Sequence, residues 1–290
     1  MTTAWLLNLD ADLEYAWGEG YLRSPAMARR VSQWSDRVLG LLGPGDRLLP
    51  LEAGDGAESE WKGAQRIVCW SPTPSALARL RALGLTPPPA PDFGVLRRVN
   101  AKEWVSPLGL GLAGGRLLRG VGEALEVLGS GGPWRLKSRW GFAGRGQRSC
   151  PKTPGEADQR WIAARIQEDG GLWVEPEIEV LEAYALHGWL SREGELRCGR
   201  LLRQLLGPGG RWEGAEPARG ARKPLLAMGE ALERVGESLG EEGYFGPFGL
   251  DGIAWKRGEE RGFCPLLECN ARLTMAFGLG FSPGGIPEIP

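Results

Sequence analysis

Two stretches near the C-terminal end constrain the fold most: Gly249 to Lys256 and Phe263 to Asn270 both read as strands, and a charged loop joins them. Runs of this kind separated by a few polar residues predict an antiparallel hairpin. Side chains alternate across a strand, so Glu268, Asn270 and, just beyond, Arg272 share one side while Cys269 takes the other. Asp251 on the neighbouring strand can share that side. Three oxygen donors with open positions suit Mg2+, which takes one or two carboxylates together with substrate phosphates. The set contains no histidine or thiolate, which argues against zinc. Composition alone would make the same residues an ordinary charged hairpin face. They gain meaning if a phosphate site lies opposite.

Residues suited to such a site lie upstream. Trp134 to Ser138 reads as a strand carrying Lys137, and Gly141-Phe142-Ala143-Gly144-Arg145-Gly146 follows directly. Glycines let backbone N–H groups close over phosphate oxygens, and a lysine supplies point charge. The Walker A spacing does not occur. Taken by itself, the glycine run reads equally well as a surface loop. Arg97-Arg98-Val99-Asn100-Ala101-Lys102 adds cations, with a charged helix start as its plain explanation. Glu175 and Glu182 stand seven apart, so a turn must intervene before both can serve one site; alone they read as surface charge.

Other features point to structure rather than chemistry. Gly109-x-Gly111-x-x-Gly114 fits the dinucleotide fingerprint by letter, but Pro107 before it and the 46 glycines of the chain favour coincidence. His187, the single histidine, reads as solvent-facing or structurally bonded, and one histidine favours no Ser-His-Asp or Cys-His triad. Most tryptophans read as core, with Trp140 beside the glycine run and Trp173 beside Glu175 as candidate pocket walls.

The first 97 residues read as a small α/β unit. Thr3 to Leu9 and Arg66 to Trp70 are strand candidates, and Ser75 to Leu83 has helical spacing, with Ser75 as N-cap and Gly84 as the stop. Strand, turn and helix in that order predict a parallel sheet. Pro87 to Pro91 is the clearest linker, and a boundary is expected near residue 97. From 98 to 172 the pattern predicts a helix around Arg116–Leu128, the strand with Lys137, the glycine loop and a helix over Glu156–Glu168. From 173 onward come two strand-like stretches joined by a turn at Glu193-Gly194, a helix over Lys223–Leu239, and the hairpin.

In this order, the parts closely resemble the ATP-grasp superfamily, which includes D-alanine–D-alanine ligase and biotin carboxylase. The resemblance covers about residues 98 to 282, and more loosely the whole chain. It implies an α/β fold: a Rossmann-like pre-ATP-grasp domain at 1–97 and an ATP-grasp domain at 98–290, with lobes of about 98–172 and 173–290. It further implies that Lys102 and Lys137 reach ATP phosphates, that Gly141, Gly144 and Gly146 belong to a mobile loop over them, and that Glu175 to Ile178 forms the adenine hinge. Glu182 then resembles the ribose-binding acid, and Asp251, Glu268 and Asn270 the Mg2+ ligands. Arg272 is placed to hold the γ-phosphate or a developing oxyanion, with Arg200 and Arg203 as further candidates. Pro176 departs from the usual hinge pair.

The implied activity is that of a ligase that activates a carboxylate as an acyl phosphate and joins it to an amine, with ATP and Mg2+ as cofactors. The substrates would be small-molecule or peptide carboxylates and amines, with a small peptide or a modified peptide precursor as product. A non-catalytic ATP-binding partner protein and a small-molecule kinase are the alternatives. A biotin-type carboxylase is less favoured, because the chain ends about 20 residues after Asn270, short of a further domain. Many relatives are dimers, so a homodimer is compatible with the reading.

Bulk composition sets the remaining expectations. Lys+Arg 35 against Asp+Glu 36 gives no global field to attract nucleic acid or an anionic membrane. No apolar run is long enough to span a bilayer, and the N-terminus lacks a signal-peptide pattern. Five scattered cysteines without metal spacing fit reduced thiols in a cytoplasm.

Overall fold

Thr3–Leu6 forms β1, with every residue buried, as expected of a short apolar strand covered on both faces. The computed structural model describes residues 2–35, 38, 41–52, 61, 63–142 and 145–281. After β1 come α1 (Ala11–Trp17), α2 (Pro25–Ser35), β2 (Arg47–Leu48), β3 (Arg66–Cys69), α3 (Pro74–Ala82) and α4 (Phe93–Val99). The three strands form a parallel sheet in the order β2-β1-β3. The expected N-cap of α3 shifts from Ser75 to Thr73, because Pro74 occupies the first helical position, where its fixed φ suits the helix. Ser75 is used differently: its N–H and hydroxyl donate to Glu14 at 2.8 and 2.6 Å. Helix α4 runs across residue 97.

A four-stranded sheet follows, built from β4 (Arg116–Leu118), β5 (Trp134–Phe142), β6 (Arg145–Cys150) and β7 (Leu172–Pro176) in the order β4-β7-β5-β6. Two helices, α5 (Val121–Ser130) and α6 (Glu156–Asp169), accompany it. Their Leu128 and Ile162 join Leu136, Leu172 and Val174 of the strands in a fully buried core. The helix expected around Arg116–Leu128 thus starts later, at Val121. Arg116–Leu118 instead pairs antiparallel with the buried strand β7, and a ladder with a buried neighbour outweighs local helical spacing.

The last section is a six-stranded antiparallel sheet. Its strands are β8 (Glu179–Leu190), β9 (Leu196–Cys198), β10 (Leu202–Gly207), β11 (Arg211–Pro217), β12 (Gly246–Arg257) and β13 (Glu260–Asn270). The order is β11-β10-β8-β12-β13, with β9 paired to β8. The strand-like stretch after Ser191 divides into β9 and β10 around Gly199. Helix α7 (Arg222–Glu241) lays a stripe of Met228, Ala231, Leu232, Val235 and Leu239 against this sheet. Each large side chain in such a stripe contributes about 2 kcal/mol on burial. Short helix α8 (Phe277–Phe281) packs on β8 and β11.

One core joins the N-terminal unit to this sheet. Trp5, Leu7 and Tyr15 belong to the same buried cluster as Leu96, Val99, Leu186, Phe248 and Phe277. The carboxyl end of β3 is thereby held against the chain just past the hairpin: Leu273 N–H donates to the Trp70 carbonyl at 3.1 Å. No helix of the described residues is long and apolar enough to cross a membrane. All five cysteines are free, four of them buried.

Candidate functional site

The register of β12 against β13 places Asp251 directly opposite Glu268 and Gly249 opposite Asn270. Asn270 Nδ2 donates to Asp251 Oδ2 at 3.1 Å, and Gln204 Nε2, from β10, donates to Asp251 Oδ1 at 2.7 Å. Burial, and then the negative charge of Glu268, push the Asp251 carboxyl up to about 6. Two carboxylates set opposite each other across the hairpin create a local demand for a cation.

Lysines from two other elements answer that demand. Lys102 opens the 3-10 helix Lys102–Leu108 and sets its Nζ 2.8 Å from Glu268 Oε1. Burial alone would raise the Glu268 carboxyl, but Lys102 and Lys137 outweigh it and hold the group below its ordinary value. On β5, Lys137 Nζ lies 2.5 Å from Glu175 Oε1 of β7. The two strands are adjacent and antiparallel, with Lys137 opposite Trp173 and Arg135 opposite Glu175, so Lys137 and Glu175 meet on the diagonal. Burial would lower the Lys137 ammonium; Glu175 and Glu268 reverse the sign and raise it. Trp173 Nε1 completes the set by donating to Glu175 Oε2 at 2.9 Å. Lys102, Lys137, Glu175, Asp251, Glu268 and Asn270 therefore form one charged cluster between the two later sheets.

Arg272, expected beside this set, is committed to a residue that sequence reading did not single out. Its Nη2 and Nε donate to the two carboxylate oxygens of Asp12 at 2.8 and 3.2 Å, and its Nη1 to the Leu273 carbonyl at 3.1 Å. Its guanidinium also lies over the Trp70 ring at 5.9 Å. Burial would lower the Arg272 guanidinium, and the Asp12 carboxylate holds it up. Gln204 was missed as well. Asp12 carried a weak signal, as an acid just after the first strand; Gln204 carried none.

Other expected residues stand apart from the cluster. Glu182 is exposed on β8, where it accepts from the Tyr184 hydroxyl at 2.6 Å and pairs with Arg203 at 3.4 Å. Glu175 and Glu182 are separated by a two-residue break between β7 and β8 at Glu177-Ile178, where the chain passes from one sheet to the other and Glu177 N–H donates to the Pro133 carbonyl at 2.9 Å. Arg200 is exposed. Of the glycine run, Gly141 lies in β5 and Gly146 in β6, which pair antiparallel; Gly144 lies outside the described residues. Gly109 to Gly114 follows a 3-10 helix and precedes strand β4, the reverse of the strand-then-helix context a dinucleotide site needs. His187 is a buried structural residue whose Nε2 meets Thr274 Oγ1 at 2.7 Å. Trp140 is buried too, donating to the Arg97 carbonyl at 2.9 Å.

The donor set fits Mg2+ better than other metals. Among the described residues no group of three His, Cys, Asp or Glu side chains is placed to hold a metal. Asp251 and Glu268 would offer two hard oxygen donors and Asn270 an amide, too few for a closed cage but suited to an ion that also takes water and phosphate oxygens.

No protein-family model matches the chain, and no curated protein matches it in sequence. Solved structures do. N5-carboxyaminoimidazole ribonucleotide synthetase from Thermus thermophilus superposes with a TM-score of 0.51 at 21% identity, covering 94% of this chain and 72% of that one. Biotin carboxylase from Campylobacter jejuni, in a complex with β-γ-ATP, gives 0.55 at 13% identity over 96% and 71%. The biotin carboxylase domain dimer of Hydrogenobacter thermophilus 2-oxoglutarate carboxylase, with MgADP, ADP and bicarbonate, gives 0.54 at 15% identity over 99% and 71%. The chain thus has the ATP-grasp fold, as its motif order led one to expect. The likeness extends through the N-terminal unit as well as the two later sheets.

Proposed function

We propose that this protein is an ATP- and Mg2+-dependent ligase that activates a carboxylate as an acyl phosphate and joins it to an amine. One observation carries the reading: Lys102 and Lys137 converge on Glu268, which faces Asp251 across the hairpin. A triphosphate needs cations from the protein and a metal held by oxygen ligands, and this cluster offers both within a few ångströms. The solved structures of the same fold support it, since several hold adenine nucleotides.

In this reading Lys102 and Lys137 exchange their carboxylate partners for phosphate oxygens. Asp251, Glu268 and Asn270 would hold Mg2+, which supplies charge neutralisation of the phosphates when bound. Glu175 to Ile178 would meet the adenine, Glu182 the ribose, and Gly141, Gly144 and Gly146 would cover the phosphates. An oxygen of the substrate carboxylate attacks the γ-phosphorus and ADP leaves. An amine nitrogen then attacks the acyl carbon, inorganic phosphate departs, and the nitrogen loses a proton. Arg272, fixed by Asp12, would stabilise the negative charge that develops on the acyl oxygen. Shielding from water keeps the acyl phosphate from hydrolysis.

The test is ATP consumption with Mg2+ in the presence of hydroxylamine and a panel of amino acids and peptides, with calorimetry for nucleotide binding. Hydroxamate that forms with particular acids and disappears in Glu268→Ala supports the ligase. A stable phosphorylated product without hydroxamate would indicate a kinase. ATP binding without turnover would leave a nucleotide-binding partner protein, and absence of binding would sink the enzymatic reading.

A further inference from the structure

A second cleft lies on the far face of β5. Lys137 points toward Glu175 and Glu268, and the next residue, Ser138, points the other way, toward α6, as strand alternation requires. A cavity of about 360 Å³ opens there between α1, α2 and α6, a volume within the range of small-ligand pockets. Its wall is apolar and aromatic: Leu13 and Trp17 of α1, Met27 of α2 and Trp140 of β5. Its floor is polar and charged, formed by Ser138, Arg165, Glu168 and Asp169.

The floor is poorly satisfied. Ser138 is 4% exposed and Asp169 7%; the Ser138 hydroxyl lies beside the Asp169 carboxylate and favours its charged form, but neither Ser138 Oγ nor Asp169 Oδ2 completes a well-formed hydrogen bond among the described residues. Asp169 is also the last residue of α6, where the helix dipole is negative and a carboxylate is disfavoured. Arg165 also lines the cleft; its Nε is buried without a hydrogen-bond partner among the described residues, and its charge offsets part of the cost of burying Asp169. Arg165 pairs with Glu168, and Arg139 pairs with Glu103 and donates to the Asp169 backbone carbonyl at 3.0 Å. A buried acid at the unfavourable end of a helix, with one oxygen unused and a hydroxyl beside it, is suited to a cationic hydrogen-bond donor. At the mouth, Trp17 is 71% exposed and lines the opening of the cleft.

We infer that this cleft binds a primary amine with an apolar, aromatic-sized stem, the ammonium on Asp169 and Ser138 and the stem against Trp17, Met27 and Leu13. The site is separated from the charged cluster by the sheet, so it stands independently of the ligase reading. It also stays separable from that reading in experiment, because its occupancy is measured as binding rather than turnover.

The experiment is calorimetry on the full chain with tryptamine and phenethylamine as probes, each compared with its neutral alcohol. The amines are expected to saturate one site and the alcohols to bind at least about tenfold more weakly, the difference a charge-assisted hydrogen bond makes. Asp169→Asn should lower amine affinity by a similar factor. Trp17→Ala, a change at an exposed position that leaves the core intact, should lower it several-fold and keeps the test decisive if Asp169→Asn does not fold. Glu182→Gln should bind the amines as the parent does. Equal affinity for amine and alcohol, an unchanged affinity in Trp17→Ala, or no saturable binding of either amine would overturn the proposal.

Discussion

The Asp12 carboxylate clasps the Arg272 guanidinium through two hydrogen bonds, joining residues 260 positions apart in the chain. Asp12 belongs to the first helix and Arg272 follows the strand that carries Glu268 and Asn270. The pair therefore fixes the N-terminal unit to the charged cluster, and both side chains are largely buried. Asp12→Ala leaves the guanidinium without its counter-charge. A destabilisation of about 3 kcal/mol is expected, read as a lower urea midpoint at unchanged slope. Replacing both residues with apolar ones should cost less than the two single changes combined, which a double-mutant cycle measures.

Lys137 and Glu175 allow binding and stability to be separated. Lys137→Met should weaken binding of ATP with Mg2+ by about 10- to 100-fold, the loss of a charge-assisted contact to phosphate. It also strands a buried glutamate, so it should lower the melting temperature. Adding Glu175→Gln should restore much of the stability without restoring nucleotide affinity. Calorimetry and thermal melts on the two variants check both halves.

Burial pushes the His187 imidazole down to about 4 in the fold, against an ordinary value of 6.5. Between these values the unfolded chain holds more protons on this residue than the native one does. Stability from this source is full above 6.5, declines as pH falls through that window, and is lost below about 4. The total amounts to about 3 kcal/mol. Unfolding free energies at pH 4.5 and 7.5 should differ less in His187→Leu than in the parent. An equal pH dependence in the two would show that His187 is not the source.

Gly188 on β8 lies under the Phe248 ring of β12; a Cβ there would come within 2.4 Å of the ring. Phe248 is fully buried and has no room to retreat. Gly188→Ala should cost about 2 kcal/mol through overpacking, and Phe248→Leu in the same chain should recover part of it. Chemical denaturation of the single and double variants decides the matter.

How far the sequence could be read depended on how local each signal was. The hairpin with Asp251 and Glu268 was legible because strand alternation and a short loop fix its register within one stretch of chain. The meeting of Lys137 with Glu175 was not, since it depends on which strands become neighbours. Arg116–Leu118 looked helical because its spacing continues that of α5; only its pairing with buried β7 makes it a strand. Asp12 could be seen as an acid after a strand, but nothing nearby in sequence named Arg272 as its partner. Glu182 was placed in the site by resemblance alone, and its exposed position beside Arg203 is a feature of the folded sheet.

The irregularity in the hairpin between Asp251 and Ile253 has a consequence for how this chain can be altered. Beyond it the strands run on to a two-residue tip at Gly258 and Glu259, well past the acids. The bulge and the pairing of β12 with β8 lock the facing of Asp251 and Glu268 from within the sheet, so the tip does not have to set it. The tip is accordingly a graft point. A tag, a reporter domain or new termini for a permuted chain are expected to be tolerated there while Asp251 and Glu268 keep their spacing.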